Sequence, residues 1–282
     1  MMEWMSTPTA PSPLAGAAFA KGHGAGNDFV ILPDPDGRLP LTAPQVAALC
    51  DRRRGIGADG LLRVVRAASH PDGRRYAGDA EWFMDYWNGD GSFAEMCGNG
   101  IRVYCRYLVE SGLAKEGQLP VATRAGVRLA DVGPDLISVE MGRPRLYGTT
   151  SATVAGTAYP GVAVNAGNPH LVCPVPALVD LDLTRSPEVD GKVFPDGVNV
   201  EFVETIADNH VSIRVHERGV GETLACGSGA CAVAAVVLAE NQLDSGTVEI
   251  DLPGGRLTAT IEGGSLRLAG PAVIVAEGTL RV

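Results

Sequence analysis

Met96-Cys97-Gly98-Asn99-Gly100-Ile101-Arg102-Val103-Tyr104-Cys105 and Ala225-Cys226-Gly227-Ser228-Gly229-Ala230-Cys231-Ala232-Val233-Ala234 are the two stretches that decide how this chain folds. Both read Cys-Gly-(Asn or Ser)-Gly and then open an apolar run with helical character. The runs Ile101 to Glu110 and Ala230 to Glu240 are expected to be helices. One copy in each half of the chain implies a duplicated architecture with a pseudo-two-fold axis. Two copies are too few for a solenoid, so two similar domains facing each other are expected.

Most of the remaining sequence reads as short strands between Gly, Pro, Asp and Asn turns. Val127 to Val132, Leu136 to Met141, Val162 to Val164, Val198 to Val203 and Val211 to Val215 have that form, as do Thr247 to Leu252, Leu257 to Ile261 and Ala272 to Val275. A third helix is expected over Pro44 to Arg53, with Pro early, apolar Val46, Leu49 and Cys50, and a basic end before Gly55. The strand-like runs stop at Gly142-Arg143-Pro144, which marks a boundary between halves. Residues 1–16 are rich in Pro, Ser and Thr without Lys or Arg, and read as a disordered tail.

The 282 residues carry a net charge of −10, which argues against nucleic acid or an anionic membrane surface as a partner. No apolar run is long enough to span a bilayer, and the start of the chain lacks the basic and apolar segments of a secretory signal. A soluble, cytoplasmic protein is expected, with its six cysteines as thiols in a reducing compartment.

A cysteine just before a helix has its thiolate favoured by unpaired backbone N–H groups and about half a positive charge, so its pKa is expected below about 8.5. The glycines let those N–H groups converge on an anion. Two such units face to face would hold an amino-acid carboxylate between two thiols. One thiolate would remove the α-proton from one face while the opposed thiol returns a proton to the other. Zinc has no C-x-x-C pair or matching His spacing to bind, so no metal is expected. Pyridoxal phosphate would need a Schiff-base lysine, and Lys21, Lys115 and Lys192 lie in no obvious cofactor motif. Cys50, Cys105, Cys173 and Cys231 are expected to be small buried hydrophobes.

From about Ala18 onward the chain resembles the diaminopimelate epimerases, with their motifs in order. These are His23-Gly24-Ala25-Gly26-Asn27-Asp28-Phe29, Gly57-Ala58-Asp59-Gly60, Trp87-Asn88-Gly89-Asp90-Gly91-Ser92 and the first Cys-Gly-x-Gly. Gly167-Asn168-Pro169-His170, Val198-Asn199-Val200, Glu217-Arg218-Gly219-Val220-Gly221-Glu222-Thr223, the second Cys-Gly-x-Gly and Leu252-Pro253-Gly254-Gly255 follow.

The resemblance implies an α+β fold of two pseudo-symmetric half-domains, each a β-barrel-like mixed sheet around a central helix, with the active site in the cleft between them. It implies residues 17–142 as one half, rejoined by a final strand in 271–282, residues 143–270 as the other, and a homodimer. The implied reaction converts LL-diaminopimelate to the meso form, on the route to lysine and peptidoglycan, without a cofactor.

Cys97 and Cys226 are the implied base and acid, with His170 beside a thiol and Glu217 facing the reacting centre and the substrate amino group. Asn27 is the implied ligand of that amino group, and Gly98, Asn99, Gly227 and Ser228 of the α-carboxylate. Asn88, Asn168 and Asn199 are implied at the distal end, where Arg218 pairs with the second carboxylate. Many members carry Gln at the position of Gly60, so a contact from that amide is missing. Proline and hydroxyproline racemases share the two-cysteine design but typically read Cys-Gly-His-Gly and Cys-Gly-Thr-Gly. A thiol-redox sensor is the reading from another class.

Overall fold

The structure, a computed structural model, describes residues 13–281. The first half contains β1 (Ala18–Gly24), β2 (Asn27–Pro33), α1 (Ala43–Cys50), β3 (Gly60–Arg66), β4 (Trp82–Asn88), α2 (Gly98–Glu110), β5 (Gly117–Thr123), β6 (Gly126–Val132) and β7 (Ile137–Glu140). The second contains β8 (Arg145–Val154), β9 (Thr157–Asn165), β10 (Pro169–Pro174), β11 (Glu188–Val189), β12 (Asn199–Ala207), β13 (His210–Glu217) and β14 (Gly221–Thr223). It continues with α3 (Gly227–Glu240), β15 (Gly246–Leu252), β16 (Gly255–Glu262) and β17 (Ser265–Gly270), and β18 (Val273–Thr279) ends the order.

Strand pairing makes the duplication explicit. In the first half β1–β2 is antiparallel, β2–β3 parallel, β3–β4 antiparallel, β4–β5 parallel, and β5–β6 and β6–β7 antiparallel. The second half repeats that sequence as β9–β10, β10–β12, β12–β13, β13–β15, β15–β16 and β16–β17. In each half the crossover between the fourth and fifth of these strands carries the long helix, α2 or α3. The halves join edge to edge where β7 pairs with β17. β18 then returns to lie antiparallel on β1, the place that β8 takes on β9. The fold is therefore mixed-sheet α+β with two pseudo-symmetric halves.

Both long helices are buried at the centre of their half. α2 buries Ile101, Val103, Tyr104, Cys105 and Leu108, and α3 buries Ala230 through Val236 and Leu238. The small side chains of α3, nearly all Ala, Val, Gly and Cys, let strands close round every side of it. Burying these apolar faces is the main stabilising term. Cys50, Cys105, Cys173 and Cys231 are buried as expected, and burial pushes their thiols up to about 11 for Cys50 and about 12 for the other three.

Several boundaries differ from the sequence reading. α1 ends at Cys50 rather than Arg53, because the Asp51 carboxylate accepts the backbone N–H groups of Arg53 and Arg54 and turns the chain. α2 and α3 begin three residues earlier than expected, at Gly98 and Gly227, so the glycine tetrapeptides form the first turn and not a loop before it. The expected tail over 1–16 is too long: Leu14 is buried against Val30, Leu32 and Leu280, and the Gly16 N–H donates to the Leu280 carbonyl. Its remainder, 1–12, lies outside the described residues. No helix among the described residues is long and apolar enough to cross a membrane.

Candidate active site

The early helix starts put Cys97 and Cys226 at the N-cap positions, both in extended backbone conformation. Cys97 Sγ accepts the Gly100 N–H at 3.3 Å, and Cys226 Sγ accepts the Gly229 N–H at 3.4 Å. Sulfur here takes the part that Ser or Asp oxygen usually takes in capping a helix. The two helix starts meet: a Cβ on Gly227 would stand 3.3 Å from the Gly98 Cα. Glycine at both positions is thus a condition for two positive helix ends to converge on one spot. The Asn99 amide spans the junction, donating to the Ala225 carbonyl at 3.2 Å and to Asn27 Oδ1 at 3.4 Å.

The sequence-predicted residues form several small groups. Asn27, at the start of β2, lies with Oδ1 3.6 Å from Cys97 Sγ and donates from Nδ2 to Asp59 at 2.8 Å. Ser228 Oγ is 3.5 Å from Cys226 Sγ. Glu217, at the end of β13, accepts the Thr223 hydroxyl at 2.6 Å, and its charge acts on both thiols. Beside it the Arg218 N–H donates to Asn199 Oδ1 at 2.9 Å, while the exposed guanidinium donates to the Asp196 carbonyl. Asn88, at the end of β4, bonds to Ser92 and to none of the other predicted residues.

His170 is fully buried, with Nδ1 2.7 Å from Glu201 Oε1 and Nε2 2.8 Å from Asn168 Oδ1. Its link to the second thiol runs through Glu201, which sequence reasoning missed. Glu201 sits mid-strand among Val, Phe and Val, and only the register that sets β10 beside β12 reveals its partner.

The expectation that helix ends lower both thiol pKa values is overturned. Burial is the largest influence on each and raises both, Cys226 well above the ordinary thiol value. The N–H groups of Asn99 and Gly100 pull Cys97 down, and Ser228 and Gly229 pull Cys226 down, without reversing that direction. Glu217 is also raised by burial.

The contact that Gly60 forgoes is explained by its neighbours. A Cβ on Gly60 would stand 2.6 Å from the Trp87 carbonyl and 2.9 Å from Tyr86 Cε2, so the Tyr86 ring fills the space a longer residue would need. Tyr86 shares a face of β4 with Asn88, and its ring meets Phe29 edge-on, with centroids 5.9 Å apart. Its hydroxyl pKa is pushed well up, first by burial and then by Cys97 and Glu217, which marks it as a neighbour of the site.

A sequence model of the family described as diaminopimelate epimerase matches residues 19–147 and 162–279. The chain belongs to the diaminopimelate epimerase family. It is 51% identical over 272 residues to the diaminopimelate epimerase of Streptomyces coelicolor, covering 93% of this chain and 94% of that one. The diaminopimelate epimerase of Rhodococcus jostii is 48% identical over 281 residues, covering 93% of this chain and 96% of its relative. Among solved structures, a phenazine biosynthesis protein of the PhzF family from Bacillus anthracis shares the fold. It aligns with a TM-score of 0.69 at 20% identity, over 94% of this chain and 99% of that one.

Proposed function

We propose that this epimerase-family chain interconverts LL- and meso-diaminopimelate, using Cys97 and Cys226 as base and acid and no cofactor. The observation that carries the reading is the pair of cysteine-capped helix ends meeting at Gly98 and Gly227. The α-carboxylate binds where the two ends converge, held by the N–H groups of Gly98, Asn99, Gly227 and Ser228. As the α-proton leaves, negative charge spreads toward that carboxylate, and dipoles already aimed at it stabilise the carbanion without reorganising. The thiolate on one face takes the proton, and the thiol on the other returns one. Exchanging the two roles runs the reaction backwards.

Asn27 and Glu217 hold the amino group of the reacting centre. Asn88, Asn168, Asn199 and Arg218 hold the distal amino-acid end, for which Arg218 has to leave the Asp196 carbonyl. His170 supports the second thiol through Glu201. A Schiff-base role fits none of the three lysines: Lys21 is bonded to Asp28 and the Gly57 carbonyl, and Lys115 and Lys192 are exposed. Our working division takes 17–142 with 271–282 as one half and 143–270 as the other, in a cytoplasmic homodimer serving lysine and peptidoglycan precursor synthesis.

The test is turnover of LL-diaminopimelate in deuterium oxide, with reductant and no added cofactor. The expected result is meso product carrying deuterium at the inverted α-carbon. Protein with verified free thiols that exchanges no α-proton refutes the proposal, and exchange of free proline instead would move the substrate to the proline racemase class.

A further inference from the structure

The pseudo-two-fold axis makes the thiols equivalent by position, but the walls behind them differ. Register sets Phe29 opposite Gly60 where the second half has His170 opposite Asn199, and Leu62 opposite Tyr86 where the second half has Glu201 opposite Val215. Behind the first helix end, Phe29 Cζ and Leu62 Cδ2 each lie 3.4 Å from the place of a Cβ on Gly100. Behind the second, the carboxylate Oε1 of Glu201 lies 2.6 Å from the place of a Cβ on Gly229. Glu201 is fully buried, and its Oε2 has no hydrogen-bond partner.

The fifth residue after each thiol differs as well. In α2 it is Arg102, fully buried, donating to the Gly98 carbonyl at 2.8 Å and to Asn99 Oδ1 at 2.7 Å. Its Nε has no partner, and no carboxylate lies within ion-pair distance among the described residues. In α3 the equivalent residue is Cys231. A buried guanidinium without a counter-ion is costly, and the anion it can serve is a thiolate or carboxylate at the adjacent helix end.

We propose that these two positioning residues make the resting site one-handed: Arg102 favours the thiolate at Cys97, and Glu201 keeps the proton on Cys226. The proposal rests on the reading that these cysteines are the acid and base. An anion beside α3 cancels the partial positive charge of that helix end, while a cation in α2 adds to the other.

The other groups facing the thiols do not undo this. Glu217 from β13 acts on both and raises both thiols. Tyr86 from β4 lies on the Cys97 side, and Asn27 Oδ1, 3.6 Å from Cys97 Sγ, favours the protonated form. That is one long contact to a neutral amide, set against the full buried charge of Arg102. On the other side are the Ser228 hydroxyl and Gly229 N–H, with His170 on β10 behind Glu201. The directions agree: Arg102 pulls the Cys97 thiol down, and Glu201 pushes Cys226 up. An isomer presenting its α-proton to Cys97 therefore meets the enzyme ready, whereas the opposite isomer needs the proton moved first.

The test is thiolate ultraviolet absorbance against pH in Cys226→Ala, which keeps Cys97, and in Cys97→Ala, which keeps Cys226. The other four cysteines and the six tyrosines are common to both proteins, so the difference between the two curves reports Cys97 against Cys226. Cys97 is expected to ionise at least about one pH unit below Cys226, a tenfold difference in ionisation constant. Adding Glu201→Gln is expected to lower the Cys226 midpoint by about one unit and to move Cys97 far less, while Glu201→Asp restores the Cys226 midpoint. Equal midpoints in the two single-thiol proteins, or equal shifts on adding Glu201→Gln, overturn the proposal. Should Glu201→Gln fail to fold, the comparison of the two single-thiol proteins decides alone. The readout needs no turnover, so a wrong substrate would leave it standing.

Discussion

Gly100→Ala and Gly229→Ala are the same chemical change at equivalent positions in the first turns of α2 and α3, and they are expected to differ sharply in cost. Alanine gains up to about 1 kcal/mol over glycine in a helix, the same allowance for both. At Gly100 the new methyl meets Cys97 Cβ at 3.3 Å, Leu62 Cδ2 at 3.4 Å and Phe29 Cζ at 3.4 Å. These contacts are tight but apolar, and two are side-chain ends that can yield, so stability is expected to stay within about 1 kcal/mol of the parent. At Gly229 it meets Glu201 Oε1 at 2.6 Å and Glu201 Cδ and Cγ at 3.2 Å.

That carboxylate has to retreat, and its 2.7 Å bond to His170 is stretched or lost. A hydrogen bond to a charged group contributes about 1.5–3 kcal/mol, and overpacking costs about 1–3 kcal/mol. Less about 1 kcal/mol of helix gain, Gly229→Ala is expected to lose about 1.5–5 kcal/mol. At roughly 2–4 °C per kcal/mol, the Tm falls by about 3 °C or more, while Gly100→Ala moves little. Thermal and urea unfolding followed by circular dichroism, with reductant present, makes the comparison. Equal Tm values, or a Gly229→Ala protein more stable than Gly100→Ala, would refute the reasoning that Glu201 is wedged against α3.

Air oxidation that forms a Cys97–Cys226 disulfide is expected to abolish turnover, and reductant to restore it; full activity in protein shown by mass spectrometry to hold that bond contradicts the acid–base roles. Cys97→Ala and Cys226→Ala should each lose nearly all epimerisation, which a stereochemical product assay would read. Gly60→Gln is expected to displace Tyr86 and lower kcat/KM by at least tenfold, with partial recovery on adding Tyr86→Ala; wild-type kinetics in the single variant would show that the Tyr86 ring does not fill that space. Asp85 is buried, bonded to Arg124 and close to Arg63 and His70; His70 and Arg124 outweigh its burial and hold its carboxyl below the ordinary value. A depressed carboxylate stabilises the fold above its unfolded pKa of about 3.9 and loses that contribution as pH falls through its folded value. Asp85→Asn should therefore cost about 3–5 kcal/mol at neutral pH and flatten the fall in stability below about pH 4; an unchanged urea midpoint at pH 7 would contradict this.

Much of the molecule was legible in the chain. The repeated Cys-Gly-x-Gly announced two halves, two central helices and a pair of thiols, because glycine and cysteine at a helix start carry local geometric meaning that needs no distant partner. The ordered motifs from His23 to Gly255 carried the family. Strands with hydrophobic patterning and turn residues at their ends were likewise readable, since period and turn chemistry are local properties. Tertiary structure alone decided the rest. Glu201 looks like one more polar residue in a β run until parallel pairing with β10 sets it against His170 and closure of the half sets it against α3. Arg102 looks like a solvated helix residue until strands surround α2 on every side. The thiol pKa values ran against the local expectation for the same reason: a helix end acts within one turn, whereas desolvation sums over every element packed around the sulfur.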